Sequence, residues 1–136
     1  MNTTTSPPPS PGRVALWTGR VITTLISAFL LLDAVAKFFK PAPVLEGTLK
    51  LGYPESIIIP LGIILLISTL LYLLPRTSVL GAILLTGYLG GAVATHARVG
   101  SPLPTHTLFP IYFGILLWLA LYLRDPRLRA FVPLRR

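Results

Sequence analysis

Residues 57–74 read IIIPLGIILLISTLLYLL, eighteen positions without a charge and apolar except for Ser68 and Thr69. As an α-helix rising about 1.5 Å per residue this stretch is about 27 Å long, close to the hydrocarbon thickness of a bilayer. It is apolar all round, which describes either a membrane span or a helix buried in a large core. Working outward from it, three more segments have the same character: 16–39, densest at 21–32, then 79–97, rich in glycine and alanine, and 108–123. Pro75 closes the segment 57–74, and Gly100 with Pro102 closes 79–97. Pro60 and Pro110 fall in first turns, where a missing N–H costs nothing. No long amphipathic helix remains to shield such segments from water, which argues against the alternative of a soluble fold. Across the chain, 53% of the 136 residues are hydrophobic and 12% charged. The mean hydropathy is +0.75. The expected fold class is therefore all-α, a four-transmembrane-helix antiparallel bundle.

The charge supplies an orientation. The formal net charge is +8, but the basic residues flank apolar segments and form no nucleic-acid-binding motif. Four spans place both termini on one side, together with Arg13, Arg20, Arg76, Arg124, Arg127, Arg129, Arg135 and Arg136. The other side carries Lys37, Lys40, Lys50 and Arg98. The positive-inside rule then predicts that both termini lie in the cytoplasm. Residues 1–12, rich in proline, threonine and serine, read as a disordered tail. Residues 13–124 form the membrane domain, and 125–136 a basic cytoplasmic tail expected on the anionic leaflet. Arg20 followed by 21–32 and Ala34-Val35-Ala36 imitates a cleavable leader, but the continuation into Phe38-Phe39 favours a retained helix. Between spans 1 and 2, Val44, Leu45, Thr48 and Leu49 recur at helical spacing, Pro43 suits a start and Gly52 a stop. This predicts a short interfacial helix.

In lipid, helices associate through close packing and hydrogen bonds, because the tails are as apolar as leucine. Ala82, Thr86, Gly90 and Ala94 make one i,i+4 ladder, and Gly87, Gly91 and Thr95 a second beside it. The merged face is expected to pack within its own bundle, with a homodimer through Gly87 and Gly91 as the alternative. On span 1, Arg20, Thr24 and Ser27 form a polar stripe.

Ionisable groups at membrane depth are candidates for function. Asp33 and Lys37 are spaced to meet on one helix face. Arg98 shares a phase with Gly87 and Gly91 and is expected to point toward a neighbouring helix, whereas His96 falls on the opposite side with Leu85 and Leu89. With Tyr53 and His106 these residues make a candidate pocket in the outer half: Asp33, Lys37, Tyr53, His96, Arg98 and His106. Two interfacial histidines suit a bis-histidine haem poorly. Cysteine is absent, and no metal-site pattern, catalytic triad order, phosphate loop or dinucleotide fingerprint occurs. Trp17, Trp118, Tyr112 and Tyr122 near span ends fit an aromatic belt.

Several of these pieces have a familiar order. Asp33-Ala34-Val35-Ala36-Lys37-Phe38 precedes Lys50-Leu51-Gly52-Tyr53-Pro54, then Gly87-Tyr88-Leu89-Gly90-Gly91-Ala92 with Thr95-His96-Ala97-Arg98. Trp118 and Leu121-Tyr122-Leu123-Arg124-Asp125 follow. Over about 20–133 the chain resembles the DoxX-like family of small four-helix bacterial membrane proteins. The resemblance implies a multi-pass inner-membrane protein; the wider group includes a membrane subunit associated with a thiosulfate:quinone oxidoreductase, whose catalytic residues do not map onto this chain. Two functions follow as expectations. One is a non-catalytic membrane subunit or accessory protein for a redox or assembly partner. The other is a quinone-linked or other small-molecule-handling protein that uses the outer-half pocket.

Overall fold

The computed structural model describes residues 12–131, and among them every regular element is helical. The elements are α1 (Arg13–Phe39), α2 (Ala42–Lys50), α3 (Ile58–Leu73), α4 (Ser78–Arg98), α5 (Phe109–Arg124) and α6 (Pro126–Phe131). A 3₁₀ turn, Glu55–Ile57, leads into α3, and a π-helical turn, Leu103–Thr107, precedes α5. Counting those turns, four helical stretches are long and apolar enough to cross a bilayer: Arg13–Phe39, Glu55–Leu73, Ser78–Arg98 and Leu103–Arg124. The interfacial helix is α2, with Pro43 in its first turn and Gly52 beyond its end at φ 84°. α1 ends because Lys40 turns left-handed (φ 49°) and Pro41 follows.

The four spans form a ring in which α1 touches α3 and α5, and α4 touches α3 and α5. Successive spans run in opposite directions, so every neighbouring pair is antiparallel. The end of the ring bearing Arg13 and Arg124 is called here the terminal end, and the other the distal end. Leu65, Tyr72, Leu85, Leu117 and Leu121 are completely buried in the interior. Leu25, Leu32, Ile64 and Ile115 are at least half exposed and supply the lipid-facing surface.

Backbone approach is set by three glycines. A Cβ on Gly19 would meet the Ala120 carbonyl at 2.8 Å, and one on Gly62 would meet the Lys37 Cβ at 3.0 Å. A Cβ on Gly81 would overlap the backbone of Leu71 and Tyr72. Gly19 and Gly81 draw α1–α5 and α3–α4 together at the terminal end, and Gly62 draws α1–α3 together at the distal end. Three hydrogen bonds tie spans to one another, one of them from Arg124 Nη2 to the Tyr72 carbonyl at 3.3 Å. The Tyr72 hydroxyl donates to the Leu117 carbonyl at 2.6 Å, and Trp118 Nε1 donates to the Thr86 hydroxyl at 2.8 Å.

Two expectations need correction. Within α4 the packed face is not the glycine face: Ala82 is buried, but a Cβ on Gly87, Gly90 or Gly91 would meet nothing within 4 Å, and Ala94 is exposed. Large side chains, Leu85 and Leu89, fill the interior instead. The physical reason is that lipid contact does not penalise glycine and alanine, so small size alone does not select the inside. On α1, Thr23 and Thr24 donate to the carbonyls of Gly19 and Arg20 at 2.8 Å each, as hydroxyls within a span ordinarily do, while the buried Ser27 hydroxyl has no partner among the described residues. Finally, the described part of the basic tail folds back onto the bundle. Arg129 donates to the carbonyls of Tyr122 and Leu123 at 2.8 Å, satisfying free acceptors at the end of α5, and Leu128 packs against the core. Residues 1–11 and 132–136, which carry the rest of both expected tails, lie outside the described residues.

Candidate functional site

At the distal end the spans enclose a cavity of about 1020 Å³, roofed by α2 and the turns that follow it. The volume is at the upper end of what small-molecule sites occupy, about 300–1,000 Å³. Its walls are mainly apolar, and the polar groups come from five separate segments.

α1 contributes Asp33 and Lys37. Their i,i+4 spacing brings Lys37 Nζ within 2.7 Å of Asp33 Oδ2, with the Lys37 side chain 13% exposed and that of Asp33 38%. The pair lets each charge sit at this depth, since a lone ion there would have to shed its hydration without compensation. Tyr53 enters from the turn before α3, and its hydroxyl lies 2.9 Å from that of Thr95 on α4. The Thr95 hydroxyl also donates to the Gly91 carbonyl at 2.8 Å, so one of its lone pairs is left to accept from Tyr53.

Arg98 lies outside the cavity lining and is exposed. It reaches neither the pocket nor a neighbouring span, because its Nη2 donates at 2.8 Å to the Leu51 carbonyl. Gly52 there holds a left-handed turn, and the guanidinium lies 3.5 Å from where its Cβ would stand. Arg98 thus fastens the turn that delivers Tyr53. On the same side, Lys40 Nζ is 3.5 Å from Glu55 Oε1 and links the end of α1 to the start of α3.

His96 is corrected in the opposite sense. Its position on the Leu85–Leu89 side of α4 puts it on the interior face, so it lines the cavity. His106 joins it from the π-helical turn, with ring centroids 5.8 Å apart and planes inclined by 59°. His96 Nδ1 is 3.0 Å from the Ser101 hydroxyl, and His106 Nδ1 is 2.8 Å from that of Thr105. Each hydroxyl fixes one ring nitrogen, leaving Nε2 for a ligand or a proton. Among the described residues no three His, Asp, Glu or Cys side chains converge as a metal site.

Five of the six sequence-predicted residues therefore meet at one cavity: Asp33, Lys37, Tyr53, His96 and His106. Sequence reasoning missed three further features. Tyr88 lines the cavity beside Gly87. Thr95 was visible only as a small residue of a ladder, although its hydroxyl holds Tyr53. Phe29, Phe109 and Phe113 form an aromatic stack with centroids 4.8–5.9 Å apart, which joins α1 to α5 along the cavity wall. An aromatic lining in one span was detectable, but its pairing partners sit eighty residues away and leave no local pattern.

Chemically, the site offers two ammoniums, Lys37 and Lys50, two imidazoles and phenolic and aliphatic hydroxyls as hydrogen-bond donors, against one carboxylate. Such a set recognises a head group rich in acceptors, and the apolar walls accept a ring or chain. The DoxX-like family model matches residues 21–120, a range that contains all four span cores and every cavity residue named above. No curated protein and no solved structure matches the chain.

Proposed function

This chain belongs to the DoxX-like family, and from that premise we propose that it is a multi-pass membrane protein that binds a small, planar, carbonyl-bearing head group of the quinone type in its distal cavity. The observation that carries this reading is the convergence of Lys37, Tyr53, His96 and His106 on an otherwise apolar space of about 1020 Å³. A quinone carbonyl is an acceptor, and Lys37 and the imidazoles are donors that can meet it. An imidazole has one nitrogen that donates and one that accepts, so either ring can exchange a proton with a reduced quinone. The role in this reading is binding of the head group and its hand-over to a redox partner. The positive-inside rule supports placing the termini in the cytoplasm and the cavity on the outer side of the inner membrane.

The test is calorimetric titration of duroquinone, a fully substituted benzoquinone without a tail, into the protein in lipid nanodiscs. Saturable binding is expected in the wild type. Replacing Lys37 by Gln should weaken it by about tenfold, the loss of roughly one charge-assisted hydrogen bond. Absence of saturable wild-type binding would remove this reading.

A second reading, a non-catalytic accessory subunit, is favoured by one observation. Gly90 and Ala94 are exposed, and nothing stands within 4 Å of a Cβ at Gly90, which suits close contact with a helix of another subunit. Crosslinking in native membranes through position 90 followed by pull-down tests it; recovery of the uncrosslinked chain alone would count against it.

A further inference from the structure

The four seams between spans are unequal. Gly62 lies against Ala34 and Lys37 and closes α1–α3, and the stack of Phe29, Phe109 and Phe113 closes α1–α5. Trp118 bonded to Thr86, with Leu89 against Gly114, closes α4–α5. The α3–α4 seam behaves differently along its length. Gly81 presses on Leu71 and Tyr72 at the terminal end. At the level of Gly87 and Gly91 a Cβ would meet nothing within 4 Å. Both glycines line the cavity, and Leu61 and Ile64 line it from α3. The surface around this opening is uncharged: Ile64 and Ile67 are each 51% exposed, and Ile83 55%.

We infer that the cavity opens sideways into the bilayer between α3 and α4, and that its ligand carries a long apolar tail lying over Gly87 and Gly91 with its head group at Lys37 and Tyr53. This rests on the reading of the cavity as a head-group site and adds the ligand's second half and its route of entry. Polar groups gather at the distal end, while the opening lies about two helical turns nearer the bilayer centre, from Thr95 to Gly87, roughly 12 Å along α4. A tail that stayed in hydrocarbon while its head reached the polar end would have to follow that path. The absence of side chains at Gly87 and Gly91 leaves a channel for a chain where leucines would block it.

The experiment compares plastoquinone, which has an isoprenoid tail, with tail-less duroquinone, by calorimetry in nanodiscs. The variant is Gly87→Leu/Gly91→Leu. Neither position has a neighbour to displace, and both substitutions favour helix. Gly90→Leu is the control, since Gly90 is equally free of neighbours but does not line the cavity. The double variant is expected to bind plastoquinone about tenfold more weakly, equivalent to about 1.4 kcal/mol, with duroquinone and the control unchanged. Unaltered plastoquinone affinity in the double variant would overturn the portal while leaving the head-group site intact. Equal weakening of both quinones would overturn it too, by showing that the glycines shape the head site. If the wild type binds neither, the head-group reading fails and the portal with it.

Discussion

Lys37 and Asp33 show how a single pair can be read from spacing and still need a structure to weigh it. The i,i+4 interval makes the contact, and the structure adds that Lys37 is the more enclosed partner. Replacing Lys37 by Met leaves a carboxylate that only partly reaches water, and should lower stability by about 1–3 kcal/mol. Adding Asp33→Asn removes that uncompensated charge, so the double variant should recover most of the loss. Thermal unfolding in detergent, followed by circular dichroism, measures the series; a double variant no more stable than Lys37→Met would contradict the pairing. Arg98 was the less legible residue. Its shared phase with Gly87 and Gly91 does not bring it to a neighbouring span; its acceptor is the backbone carbonyl of Leu51, and no pattern of side chains announces a carbonyl.

At the scale of elements, all four spans and the interfacial α2 were legible, because length, apolarity and the Pro and Gly positions act locally. Which face of each span turns inward was not. In water the apolar face identifies the interior, but in lipid both sides are apolar, and α4 illustrates the consequence. Leu85, Leu89 and His96 look inward, and Gly87, Gly90 and Gly91 look toward the cavity rim or the lipid. The glycine that does bring two helices together is Gly81, one residue before the ladder. Two substitutions separate these roles. Gly81→Ala forces the backbones of α3 and α4 apart and should cost about 1–3 kcal/mol or more. Gly90→Ala meets nothing and should gain up to about 1 kcal/mol from helix propensity. The same unfolding assay reads both, and a Gly81→Ala protein as stable as Gly90→Ala would refute the crossing described here.

At the scale of the molecule, the antiparallel ring puts the described ends of the chain together and the cavity at the opposite end. The arginine-rich ends favour cytoplasmic termini. Fluorescent-protein fusions at either end should therefore glow in the cytoplasm, and alkaline phosphatase fused at Lys50 should be active outside; the reverse pattern would invert the cavity's side. Most of the cavity's ionisable lining was legible from depth in the proposed topology, but its apolar and aromatic walls, drawn from spans eighty residues apart, were not. Its occupancy by a ligand is the central claim. The absence of cysteine allows a direct measurement. Thr48→Cys places one thiol on the cavity-facing side of α2, and Arg76→Cys places one in the exposed α3–α4 turn at the far end. The rate of reaction of each with a water-soluble maleimide is recorded in nanodiscs, with and without saturating duroquinone. The account predicts that the quinone slows labelling at position 48 severalfold and leaves position 76 unchanged; identical rates at position 48 in its presence and absence would contradict it.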